Sequence, residues 1–263
     1  MGTKNLREAR PLALLASLAS IALACLGSIW AMASPVGSSP DNDFHLASIW
    51  CAWGESETCR TVAPEPGLAP APFYVPRELD FQCFVSKPLE SAACTLEQQS
   101  GWIVGRVDGF TNGNYPPVFR IAMRAFVGSD IDGSVQRMRI ANVLLASLLL
   151  LFTLLICRPR IRRAVAVTWL VGIIPFGLWF IASDNPSSWA IIGVALFWAL
   201  FRNWIASPSI TSSRAWWSLL GVLVTAVLAG GARSDAGLAI VVSAFAVVIL
   251  SVPTLRTHPP RIW

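Results

Sequence analysis

The chain has 263 residues, of which 54% are hydrophobic and only 13% charged, against the ~25% charged residues of an ordinary soluble domain. With a mean hydropathy of +0.58, this excludes a disordered chain and an ordinary cytosolic enzyme, and points to a protein whose solvent is partly lipid. The formal net charge of +5 is not a nucleic-acid signature, because no Lys/Arg stripe is interleaved with stacking aromatics; the expected partner is the lipid bilayer.

Residues 11–33 form an uncharged apolar run, and about 20 such residues cross a bilayer as a helix. Lys4, Arg7 and Arg10 precede it, opposed by Glu8 alone, which places residues 1–10 in the cytoplasm. Ala31-Met32-Ala33 before Ser34 also fits a signal-peptide cleavage site. The run exceeds the ~7–15 residues of a signal core, so a retained first transmembrane helix is expected.

Residues 34–139 differ in kind. They hold all but three of the fifteen acidic residues and four of the six cysteines, and read as an extracytoplasmic loop domain. Cys51, Cys59, Cys83 and Cys94 are even in number and on the oxidising side, which suggests two disulfides. Three pairings exist; the local one, Cys51 with Cys59 and Cys83 with Cys94, closes the shortest loops. The spacing does not suit zinc, which prefers close C-x-x-C pairs with His partners. Cys25 and Cys157 sit in or beside apolar runs as inert residues.

Five further spans are expected within 140–254, at 140–157, 164–182, 187–201, 215–232 and 236–254, with 255–263 as a cytoplasmic tail. Pro175 and Gly177 interrupt the second of these, and 187–201 is short. Six crossings leave eleven Lys/Arg on the cytoplasmic side and Arg233 alone in the short outer loops, as the positive-inside rule requires. The expected fold class is an all-α membrane protein: a six-helix transmembrane bundle with a large loop domain after its first helix. Its place is the cytoplasmic membrane, with both termini cytoplasmic.

Four stretches carry candidate chemistry. Asp41-Asn42-Asp43 is a D-x-D arrangement just past the first span; two such carboxylates hold a divalent cation against a phosphate or act as a base, and equally Asp41 or Asp43 caps a helix starting there. Asn112-Gly113-Asn114-Tyr115-Pro116-Pro117 is a turn leading into a helix. Phe119, Met123 and Phe126 share one face of that helix, which lies either on the membrane surface or on the loop's own core. Ser183-Asp184-Asn185-Pro186 is a turn, with Ser187 or Ser188 placed to cap the next helix. Arg233-Ser234-Asp235 sets an Arg and an Asp at a membrane boundary, where a lipid phosphate is the natural ligand.

In this order, S-P-D-x-D-F-H-L-A-S-I-W at 39–50, Y-P-P at 115–117, M-R-I-A-N-V-L-L-A at 138–146, A-S-D-N-P-S-S-W-A at 182–190 and A-R-S-D-A at 232–236 resemble the bacterial multi-pass family catalogued as domain of unknown function 2142. That family looks like a branch of the GT-C membrane glycosyltransferases. The resemblance implies an outer loop with surface helices and an acidic residue near its start acting on a polyprenyl-phosphate-linked sugar. Asp41 or Asp43 would be the catalytic acid-base or metal ligand, with His45, Tyr115, Asn185, Arg233 and Asp235 around the substrate. There are two departures. Asn42 stands where a second acid is expected after Asp41, with Asp43 as a substitute. GT-C proteins also carry more spans, which implies a second polypeptide supplying the rest. The alternative function is a non-catalytic membrane protein whose disulfide-stapled loop binds a partner or an envelope glycan. A transporter fits less well, since no inverted repeat is visible.

Overall fold

The computed structural model describes residues 3–61, 73–81, 83–97, 100–105, 115–173 and 175–257. The helices are α1 (Thr3–Ala33), α2 (Asn42–Trp50), α3 (Val118–Arg124), α4 (Ile131–Ile156), α5 (Pro159–Gly172), α6 (Pro175–Ile181), α7 (Ser187–Ile205), α8 (Ser213–Ala232) and α9 (Ser234–Thr257). Three short strands, β1 (Arg60–Thr61), β2 (Phe73–Pro76) and β3 (Trp102–Gly105), form one antiparallel sheet in that order. Its register pairs Arg60 with Tyr74 and Phe73 with Gly105. Five helices are long and apolar enough to cross a membrane, and the α5–α6 pair makes a sixth span if taken together. This is a mostly helical multi-pass membrane protein.

Three boundaries differ from the sequence reading. α4 starts at Ile131 rather than 140, because Asp130 caps it: its carboxylate accepts from the Gly133 amide at 3.1 Å, satisfying an otherwise unpaired donor of the first turn. The run expected as one span at 164–182 lies in two helices bent by 100°, since Pro175 has no N–H with which to continue α5. α7 extends to Ile205, so Arg202 and Asn203 lie inside a helix instead of after one.

Contacts at the two ends of the bundle fix the path of the chain. Trp189, at the start of α7, donates to Asn142 near the middle of α4 (2.9 Å). The Arg158 amide, just past α4, donates to Asn203 near the end of α7 (2.9 Å). α4 and α7 are therefore parallel neighbours, and the bent α5–α6 pair is what carries the chain back between them. The chain thus passes six times from one end of the bundle to the other. One end bears the described residues of 34–130; the other carries Arg158, Arg160, Arg162, Arg163, Arg202 and Arg214.

Helix association in lipid gains little from water exclusion and depends on close van der Waals contact. The α7–α8 pair illustrates this: a Cβ on Gly193 would stand 2.7 Å from the Thr225 carbonyl oxygen and 2.8 Å from the Ala229 Cβ, so no larger residue fits. Leu148, Leu170, Leu238 and Phe245 are exposed on the bundle's flanks, as a lipid-facing surface demands.

The described residues of 34–130 share an apolar core with the ends of the bundle helices, at Val135, Met138, Trp189 and Ala232. Leu46, Ile49 and Trp50 of α2 are fully buried with Val75, Leu79, Phe119 and Met123. α3 thus turns its apolar face into this core rather than out to the bilayer, and Phe119 meets Trp189 of α7 edge-on at 5.2 Å. Disulfides link Cys51 to Cys59 and Cys83 to Cys94. Cys25 and Cys157 are free.

Candidate functional site

The α8–α9 turn is pressed against the layer that holds α2 and α3. A Cβ on Gly231 would stand 2.7 Å from a methyl of Val118 in α3, so only glycine lets the turn come this near. Arg233 follows in extended conformation as the last residue before α9. Its guanidinium donates through Nε and Nη2 to both carboxylate oxygens of Asp235 (2.9 and 2.7 Å) and through Nη1 to the Ser187 hydroxyl (3.1 Å). It also lies 5.4 Å from the centroid of the Tyr115 ring, a cation–π arrangement.

Behind Tyr115 stands His45 of α2, their rings 4.9 Å apart and nearly perpendicular, with Phe44 closing the group at 5.1 and 5.3 Å. His45 is 3% exposed, and its Nε2 is buried without a hydrogen-bond partner among the described residues. Burial pushes its pKa from the ordinary 6.5 down to about 3, helped by the Arg233 charge and opposed by that of Asp43. The imidazole is therefore neutral at pH 7, and a group able to give or take a hydrogen bond waits in a dry place.

The two aspartates of the D-x-D separate. Asp41 opens α2 in a left-handed conformation (φ 52°) and makes no side-chain capping bond; its side chain is exposed and its carbonyl accepts from the His45 amide. Asp43 is half-buried and lines a cleft of about 190 Å³ with Asp80, Phe81, Ile103 and Gly105. Arg233 and Asp235 stand at a different cavity, an apolar groove between α7 and α9 lined by Ile191, Val194 and Ala239. The fold thus brings Arg233, Tyr115 and His45 together, sets Asp43 within their electrostatic reach, and leaves Asp41 outside. No group of three or more His, Cys, Asp or Glu side chains suited to a metal ion occurs among the described residues. Split between solvent and cleft, Asp41 and Asp43 do not fit a shared cation. Asn112, Gly113 and Asn114 lie outside the described residues.

Asn185 is committed within the protein. It is 2% exposed, its Nδ2 donates to the Pro40 carbonyl (2.9 Å) and its Oδ1 accepts from the Ser187 amide (2.8 Å). Neither Ser187 nor Ser188 caps α7: Pro186 is its N-cap residue, and the Asn185 side chain accepts from the first helical amide.

Arg139 and Asp184, which belong to the stretches at 138–146 and 182–190 but not to the candidate site residues, form a second buried polar group. Arg139 of α4 and Asp184 are 0% exposed and meet at 2.9 Å. Arg139 also donates to the carbonyls of Ser34 and Pro35 just past α1 (2.7 and 3.2 Å), where a cation suits the negative end of a helix. Ser39 and Asn42 donate to the same Asp184 oxygen at 3.5 and 3.4 Å. Asn142 donates to the Ser183 carbonyl at 2.8 Å. Burial pushes the Asp184 carboxyl up, opposed by the Arg139 guanidinium and these hydrogen bonds. The signal was present in the sequence: an Arg and an Asn interrupting the start of an apolar run are candidates by default.

Residues 24–260 match the family described as predicted membrane protein (DUF2142). No curated protein and no solved structure matches the chain.

Proposed function

We propose that this chain, which belongs to the DUF2142 family of predicted membrane proteins, binds a polyprenyl-phosphate-linked sugar at its loop-bearing end, on the outer face of the cytoplasmic membrane, and transfers the sugar to an acceptor hydroxyl. One observation carries the reading: the Arg233 guanidinium stands at the head of an apolar groove between α7 and α9 and against Tyr115 of the outer layer. An apolar chain ending in a phosphate has that shape. The ion pair that now occupies Arg233 is partly exposed, 28% at Arg233 and 66% at Asp235, so it contributes about 0–1 kcal/mol. A phosphate competes for the guanidinium through charge-assisted bonds roughly twice as strong as neutral ones.

In this reading Asp43 is the base. It takes the proton of the acceptor hydroxyl as that oxygen bonds to the anomeric carbon. The bond from that carbon to the phosphate oxygen breaks, and polyprenyl phosphate leaves on Arg233. The cleft shared by Asp43 and Asp80 offers carboxylates for hydroxyl groups. The outer placement rests on the arginines of the opposite end, which the positive-inside rule assigns to the cytoplasm. The non-catalytic reading also has support, because Asp43 and Arg233 line different cavities.

The experiment is reconstitution in liposomes with a radiolabelled polyprenyl-phosphate hexose and a bacterial envelope extract as acceptor. Transfer expects labelled product and free polyprenyl phosphate, with release abolished and binding retained in Asp43→Asn. Binding without release by the wild-type chain assigns the non-catalytic reading. Failure to bind the lipid overturns the transfer reading and leaves the one in which the disulfide-stapled loop binds a partner or an envelope glycan.

A further inference from the structure

The opposite end of the bundle holds a second polar arrangement, whose groove meets the first at Val194 and Ala195. Asn203 is fully buried. It accepts from the Arg158 amide (2.9 Å) and donates to the Ile156 carbonyl (3.5 Å) and the Ser218 hydroxyl (2.9 Å). Ser218 in turn donates to the Arg214 carbonyl (2.8 Å). One amide therefore gathers the ends of α4, α7 and α8, and with them Arg158, Arg202 and Arg214. The three are close enough that Arg214 and Arg202 reinforce burial in lowering the pKa of Arg158. Beyond Asp132 the chain has only two acids, Asp184 and Asp235. Both lie at the other end, so neither can neutralise this cluster. Arg202 Nη1 is buried and makes no hydrogen bond among the described residues.

Below Arg202 runs an apolar groove of about 460 Å³ between α5, α7 and α9, lined by Val165, Trp169, Val194, Trp198 and Ser243. From Arg202 to Val194 is eight residues of α7, about 12 Å of helix at 1.5 Å per residue. That is close to half of a ~30 Å hydrocarbon core. The groove thus has the depth of one leaflet and a guanidinium at headgroup level.

We infer that this groove binds an anionic phospholipid of the leaflet at the arginine-rich end. Its acyl chain lies between Trp169 and Trp198, and its phosphate is held by Arg202 with Arg158 and Arg214. The charge selects the occupant: basic pockets between transmembrane helices take anionic headgroups, and a zwitterionic lipid would leave the cluster uncompensated. A free phosphate would not use the groove.

The test is native mass spectrometry of the full chain released from nanodiscs of equal phosphatidylglycerol and phosphatidylethanolamine. The wild-type protein should retain phosphatidylglycerol preferentially. Arg202→Gln and Arg214→Gln should each lower that retention about fivefold, and Ala164→Phe, at the wall of this groove and not of the Arg233 groove, should lower it comparably with the charges in place. Arg163→Gln, on the exposed side of α5, should not change it. Equal retention of the two lipids overturns the inference. So does retention unaffected by Ala164→Phe, or loss matched by 10 mM inorganic phosphate displacing the lipid, since either makes the cluster a phosphate sink without a groove. A thermal midpoint equal to wild type identifies folded variants. If Arg202→Gln unfolds, Ala164→Phe alone decides.

Discussion

Arg139 and Asp184 meet at 2.9 Å with both side chains closed to solvent, although 45 positions and two helices separate them in the chain. The pair sits where α1 ends, α4 rises and the turn into α7 begins, and Ser39 and Asn42 add the start of the outer layer. Four segments are held by one carboxylate and one guanidinium.

Removing one partner strands a buried charge, which costs about 3–5 kcal/mol. Arg139→Met and Asp184→Leu should each lower stability by that order. The double variant should lose much less than the sum, because apolar residues of similar volume replace such pairs with little loss. Unfolding in mixed micelles checks this. Additive losses would mean that the two residues act separately.

His45 predicts acid sensitivity. Above pH 6.5 the imidazole is neutral in folded and unfolded chains alike. Below 6.5 the unfolded chain binds a proton that the folded protein refuses until about pH 3, so stability falls as pH falls through that window. The full effect is on the order of 5 kcal/mol at ~1.4 kcal/mol per pH unit. His45→Phe should flatten the slope between pH 6.5 and 4; an unchanged slope would assign the acid response to other groups.

Asp235 occupies the seat proposed for a lipid phosphate. Asp235→Asn should therefore tighten binding of a fluorescent polyprenyl phosphate several-fold, and Arg233→Gln should weaken it about tenfold or more, a loss of at least ~1.4 kcal/mol. If Asp235→Asn weakens binding as well, the pair acts as a unit and the displacement reading fails.

Topology is checked with reporters. A cytoplasm-active fusion should work after Arg163 and be silent after Glu97, and non-reducing peptide mapping should recover Cys51 joined to Cys59 and Cys83 to Cys94. Activity at Glu97, or four free thiols, would reverse the proposed orientation.

The apolar runs that became α1, α4, α7, α8 and α9 were legible because hydropathy is a local property. So was the disulfide pairing, since each loop is short. Tyr115, His45 and Arg233 could be marked one by one, but their meeting is a product of α3 and the α8–α9 turn packing through Gly231. Arg139 escaped because a charge inside an apolar window reads as the end of a span, and the helix was begun one residue too late to contain it. Asp80 belongs to no motif; it follows the single helical turn Arg77–Leu79 after β2 and lines the same cleft as Asp43. Asn203 was hidden by the same rule as Arg139, at the opposite end of the bundle.

The two disulfides span only eight and eleven residues, and neither crosses from the outer layer to the bundle. Each stiffens its own loop by shrinking the freedom of the unfolded chain, an effect that is smaller for short loops. Apart from the continuity of the chain, the layer is seated on the helices by non-covalent contacts alone, among them Arg139 to the Ser34 and Pro35 carbonyls, Asn42 to Asp184, Asn185 to Pro40 and Trp179 to Ser38. A reducing agent should therefore soften the loops while leaving the layer seated, whereas a change at Arg139 should loosen the seat and leave both crosslinks intact. Mechanically, the staples govern local stiffness, and a single buried ion pair governs alignment.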